Sequence, residues 1–75
     1  MPAKSRQMRA LGDALRAARI ERGYSQESFA AHAGIDRSYY GAIERGEFNL
    51  TLETLLRITT ALNTTASELL AHAKL

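Results

Sequence analysis

The chain has 75 residues, 45% of them hydrophobic, 24% charged and none a cysteine, which fits one small globular domain and excludes a disordered segment, a disulfide scaffold and a thiolate metal site. No apolar run approaches the about 20 residues that cross a bilayer, and no apolar stretch follows the basic start (Lys4, Arg6, Arg9) as in a secretory signal, so a cytoplasmic protein is expected. The net charge of +2 is uneven: residues 1–22 hold six basic side chains (Lys4, Arg6, Arg9, Arg16, Arg19, Arg22) against Asp13 and Glu21, and the rest holds four against six acids, which suits a polyanionic partner or a solvated helix face.

Residues 1–7 read as a flexible basic arm ahead of a single domain over 8–75. From about Gln7 to Arg22, Met8, Leu11, Leu15 and Ala18 recur at helical spacing. Ser25 is a predicted N-cap for a second helix, Gln26 to Ala33, with Phe29, Ala30 and Ala33 inward. Asp36 caps a third, Arg37 to Arg45, facing inward through Tyr39 or Tyr40 and Ile43. Thr51 caps a fourth, Leu52 to about Leu62, with Leu52, Leu55, Ile58 and Leu62 as its stripe. Thr65-Ala66-Ser67-Glu68 matches a capping box, predicting a fifth helix to the chain end. No alternating stretch is long enough for a strand. The fold class is therefore all-α, a compact five-helix bundle.

The joint Ala33-Gly34-Ile35-Asp36 between the second and third helices suits a sharp turn. Ala30 is small where two helix backbones approach, Gly34 supplies a positive φ, Ile35 can plug the angle, and Ile43 points back to the core. These features describe a helix-turn-helix whose second helix can enter a DNA major groove. Ten residues from Asp36 span about 15 Å, against a groove about 12 Å wide.

Leu11-Gly12, Leu15-Arg16, Arg19, Gly23-Tyr24-Ser25-Gln26-Glu27, Ala30, Gly34-Ile35-Asp36 and Ile43-Glu44-Arg45-Gly46 fall in an order and spacing that resembles the Xre/Cro/C1-type helix-turn-helix regulators. So do Leu50-Thr51-Leu52-Glu53-Thr54-Leu55 and Ala61-Leu62. Within that family, Asp36-Arg37-Ser38-Tyr39, Gly41 and Arg45 to Leu50 look most like the controller proteins of restriction–modification systems. The resemblance covers roughly residues 10 to 70 and implies a lambda-repressor-like DNA-binding bundle.

It also implies roles for single residues. Gln26 would hold the DNA backbone at the start of its helix. Arg37 would read guanine through O6 and N7, with Ser38 beside it. Tyr39 would turn outward to a phosphate or base edge and leave Tyr40 in the core, where a branched aliphatic residue is usual. Gly41 would lie exposed on the same face and allow close approach. Arg45 and Asn49 would grip phosphates, with a pair between Arg45 and Glu47 as the competing use of that arginine. Glu44 would pair with Arg19 and tie the first helix to the third.

One such module touches few base pairs, so a homodimer is expected, with Phe48, Leu50, Leu69, Leu70 and Leu75 as its interface. The competing reading puts Leu69 in the core and leaves Leu70 and Leu75 frayed and exposed. The implied partners are double-stranded operator DNA and a second copy, with no cofactor, metal, membrane or small-molecule ligand. The implied function is a transcriptional regulator acting on its own promoter. A phage-type repressor, or an antitoxin-like module whose main partner is a protein, is the alternative. No enzyme is expected: His32 and His72 stand 40 residues apart with no acidic ligand at metal spacing, and no glycine loop cradles phosphate.

Overall fold

Ser5 opens the first helix by accepting the Met8 backbone N–H at 2.9 Å. Ser25, Asp36, Thr51 and Thr65 do the same for the four that follow, at 3.0, 3.0, 3.1 and 3.0 Å. Each cap satisfies an orphan donor worth about 1 kcal/mol, and together they divide the chain into α1 (Arg6–Glu21), α2 (Gln26–Ala33), α3 (Arg37–Glu44), α4 (Leu52–Ala61) and α5 (Ala66–His72). The computed structural model describes residues 5–47 and 49–75, so the expectations for Met1 to Lys4 and for Phe48 lie outside the described residues.

The helices differ from the sequence reading at their ends. Arg6 and Gln7, assigned to the arm, are the first residues of α1 because Ser5 caps it. The reciprocal capping box belongs to α2, where the Ser28 hydroxyl accepts the Ser25 backbone N–H at 2.9 Å. At α5 the Thr65 side chain caps the Glu68 N–H, and the Glu68 carboxylate also accepts the Thr64 hydroxyl at 2.8 Å. That helix also stops short of the chain end, because Lys74 turns left-handed (φ 63°) and Leu75 N–H returns to the Leu70 carbonyl.

Leu11 and Leu15 from α1, Phe29, Ala30 and Ala33 from α2, and Tyr40 and Ile43 from α3 form one side of the core. Leu55 and Ile58 of α4, Leu62 and Leu69 close it. α3 packs between α1 and α2, while α5 bridges α1 and α4. Gly12 makes the α1–α3 contact possible: a methyl group there would meet the Glu44 carbonyl and stand 2.7 Å from that of Ile43. Two expectations are corrected. Leu52, placed in the buried stripe of α4, is 68% exposed, because the core begins one turn later at Leu55. Leu69, assigned to a dimer interface, is 2% exposed and fills the chain's own core. Thr59 is also buried, and its hydroxyl donates to the Leu56 carbonyl at 3.1 Å, so burial leaves no orphan donor there.

Candidate nucleic-acid interface

The angle between α2 and α3 follows from a few residues. Gly34 adopts φ 73°, and the next N–H, of Ile35, returns to the Ala30 carbonyl at 2.9 Å, which closes α2 and turns the chain sharply. Ile35 then packs half-buried against the core. Asp36 restarts helical structure by accepting the Tyr39 N–H. Of the paired tyrosines, Tyr40 is fully buried and Tyr39 half-buried at the edge of the core. With Tyr40, Ala42, Ile43 and Glu44 turned inward, the first turn of α3 presents Arg37 and Ser38 to solvent. Arg37 makes no ion pair among the described residues, so its fork of donors is available to an outside acceptor.

Behind this face lies a buried polar cluster. Arg19 of α1 donates from Nε to Glu44 Oε2 at 2.7 Å and from Nη2 to Oε1 at 3.1 Å, while Nη1 reaches the Tyr24 carbonyl at 2.8 Å. Gln26 adds a fourth bond, Nε2 to Glu44 Oε1 at 2.9 Å. Arg19 and Glu44 together thus tie α1, the α1–α2 turn, the first residue of α2 and the last turn of α3 to one another. Burial pushes the Glu44 carboxyl up, but the hydrogen bonds, led by that from Arg19, outweigh it and hold it below the usual carboxylate range. The same pairing raises Arg19. Burial raises the Tyr40 phenol, and the neighbouring Glu44 carboxylate adds to that shift.

The predicted contact residues do not form one uniform patch. Arg37 and Ser38 lie together and exposed, and Asn49 lies exposed in the segment before α4. Gln26, Gly41 and Arg45 form a second group. Gly41 was expected to be open to solvent but is buried. A methyl group there would stand 3.3 Å from Arg45 Nη1 and 3.4 Å from Gln26 Oε1, so this chain's own side chains occupy the room that glycine leaves. Arg45 is clamped by Glu47, Nε to Oε2 at 3.0 Å and Nη2 to Oε1 at 3.1 Å, and this pairing raises its pKa. Among the residues assigned to a dimer interface, Leu50 and Leu70 are half-buried against the core and Leu75 is 51% exposed.

Sequence reasoning did not find the bond from Gln26 to Glu44. Its signal was a polar residue at the first position of α2 and an acid on the inward side of α3, two facts that need the crossing angle to connect them. It also missed Gly12 as the point where α3 touches α1, and the surface position of Leu52.

The Helix-turn-helix family profile (HTH_3) matches residues 15–69. The chain is 51% identical over 45 residues to Control protein C.MunI of Mycoplasma sp, a match that covers 60% of this chain and 61% of that protein's length. It is 40% identical over 62 residues to Control protein C.SmaI of Serratia marcescens, covering 83% and 74% respectively. The fold is similar to the crystal structure of the restriction-modification controller protein C.AhdI from Aeromonas hydrophila, with a TM-score of 0.84 and 40% identity over 87% of this chain and 98% of that one.

Proposed function

Since this chain belongs to the Helix-turn-helix family of Xre/Cro/C1 type, together with restriction–modification controller proteins, we propose that it is a transcriptional regulator that binds operator DNA as a homodimer and controls its own promoter. The observation that carries this reading is the division of α3. Tyr40 and Ile43 anchor it to the core, and its first turn offers Arg37 and Ser38 to solvent. A short helix held at its inner side and polar at its outer one has the form that enters a major groove.

In this reading Arg37 reads a guanine edge, and Ser38 and Tyr39 contact the neighbouring base edge or phosphate. Gln26 contributes through the amide hydrogen that Glu44 does not use and through the α2 N-terminus. Arg45 and Asn49 hold the backbone. The dimer places two α3 helices about 34 Å apart, one turn of B-DNA. Its surface includes Leu50, Leu70 and Leu75, and the exposed Leu52 adds to it, whereas Leu69 acts from the core.

The test is a footprinting titration on the DNA upstream of this chain's own gene. Two symmetric protected half-sites about one helical turn apart are expected, with further protection at higher protein concentration. A single unpaired half-site overturns the dimer, a single complex at every concentration overturns the autoregulatory switch, and no protection overturns the operator reading.

A further inference from the structure

We propose that Glu47 is an internal competitor for DNA phosphate: it holds the Arg45 guanidinium until the backbone displaces it, and so sets the protein concentration at which α3 engages DNA. The inference rests on reading the α3 face as the DNA interface and adds a regulator to it.

Three observations carry it. The pair is built rather than incidental. α3 ends at Glu44 with Arg45 as its C-cap, Gly46 turns left-handed at φ 73°, and Glu47 N–H returns to the Ala42 carbonyl at 2.9 Å, so the backbone delivers Glu47 beside the guanidinium. The pairing is bidentate, with Arg45 Nε and Nη2 each meeting a separate carboxylate oxygen at 3.0 and 3.1 Å. Two phosphate oxygens would use that same fork, so carboxylate and phosphate cannot share that edge of the guanidinium. Finally, the helix dipole does not favour an acid there. A carboxylate just past a helix C-terminus faces the negative end of its dipole.

Glu47 is therefore a positioning residue that acts through Arg45. Both side chains stay accessible, at 55% and 37% exposure, so DNA can reach the pair and break it. Exposed ion pairs are weak, so displacement lowers affinity by a small factor and does not block binding. A phosphate contact is blind to sequence, so the competitor shifts the dissociation constant for every duplex alike.

The experiment measures fluorescence anisotropy with a labelled mixed-sequence duplex of about three helical turns, across a salt series, for the full chain and its E47Q, E47D, R45A and R45A/E47Q variants. E47Q is expected to bind about fivefold tighter at low salt, with the gain shrinking as salt rises. E47D, which keeps the charge, stays within about twofold of wild type. R45A flattens the salt slope by about one phosphate contact, and adding E47Q to it brings no further gain. An equal gain from E47Q with and without Arg45 would reduce Glu47 to a distant charge and overturn the proposal, as would E47Q binding like wild type. Wild type with no salt-dependent binding would instead overturn the DNA-interface reading beneath it. Helicity and melting temperature, followed in parallel, establish that each variant is folded.

Discussion

Gln26 donates its side-chain amide to Glu44 across 2.9 Å, and Glu44 in turn accepts two hydrogen bonds from Arg19 in the core. A residue at the outer rim of α2 is thereby fixed by the ion pair that joins α1 to α3. Orientation of the outer face and stability of the bundle share one carboxylate.

Removing that carboxylate leaves Arg19 buried and unpaired. Glu44→Ala is expected to cost about 3–5 kcal/mol, the range for breaking a buried pair from one side. Replacing both partners by apolar residues of similar volume, Arg19→Met with Glu44→Leu, should recover most of that loss. Urea unfolding of the three proteins measures it, and a single variant that loses under about 1 kcal/mol would contradict the buried-pair account.

The same carboxylate predicts an acid limit. Its folded pKa lies below the ordinary value, so the stability it contributes is complete above about pH 4.3 and is lost as pH falls through the folded value. Glu68, lowered first by the Thr64 hydroxyl, acts in the same direction. The melting temperature should stay level from neutrality to about pH 5 and fall steeply once the pH drops below about 4.3. Glu44→Gln should flatten the fall, and identical acid limbs for the variant and wild type would assign the sensitivity elsewhere.

Two helical glycines should respond with opposite signs. At Gly12 a methyl group meets the rigid backbone carbonyls of α3, whereas at Gly41 it meets only the ends of Arg45 and Gln26. Gly12→Ala is expected to destabilise by at least about 1–3 kcal/mol despite its better helix propensity. Gly41→Ala should be neutral or stabilising by up to about 1 kcal/mol, while moving both side chains and weakening DNA binding. Thermal melts and a binding titration on the same samples separate the two effects.

Much of this was legible in the sequence, and for identifiable reasons. Ser25, Asp36, Thr51 and Thr65 announce helix starts because a cap is a local hydrogen bond three residues long. Gly34 announces the turn because its φ is local too. What depends on how helices cross was less legible. Leu52 has the spacing of a core residue, yet periodicity does not say where a neighbouring helix ends. Gly41 looks like an open surface glycine until Arg45 and Gln26 are seen to cover it. Leu69 and Leu70 are adjacent leucines whose roles only the α1–α5 and α4–α5 contacts separate.

That separation can be measured. Leu69→Ala empties a core site and should cost about 2–5 kcal/mol in stability. Leu52→Glu, on a residue already 68% exposed, should leave the melting temperature within a few degrees and weaken self-association. Sedimentation equilibrium beside thermal melts reads both, and loss of fold in Leu52→Glu would contradict its surface position.

The central claim, that the first turn of α3 reads DNA, is tested most directly by the ratio of affinities for a footprinted duplex and a scrambled one, measured for wild type and Arg37→Ala at a single salt concentration. The account predicts that the ratio narrows by about 1–3 kcal/mol, with the loss confined to one base position and scrambled DNA bound nearly as before. An unchanged ratio, or an equal loss on both duplexes, would contradict it.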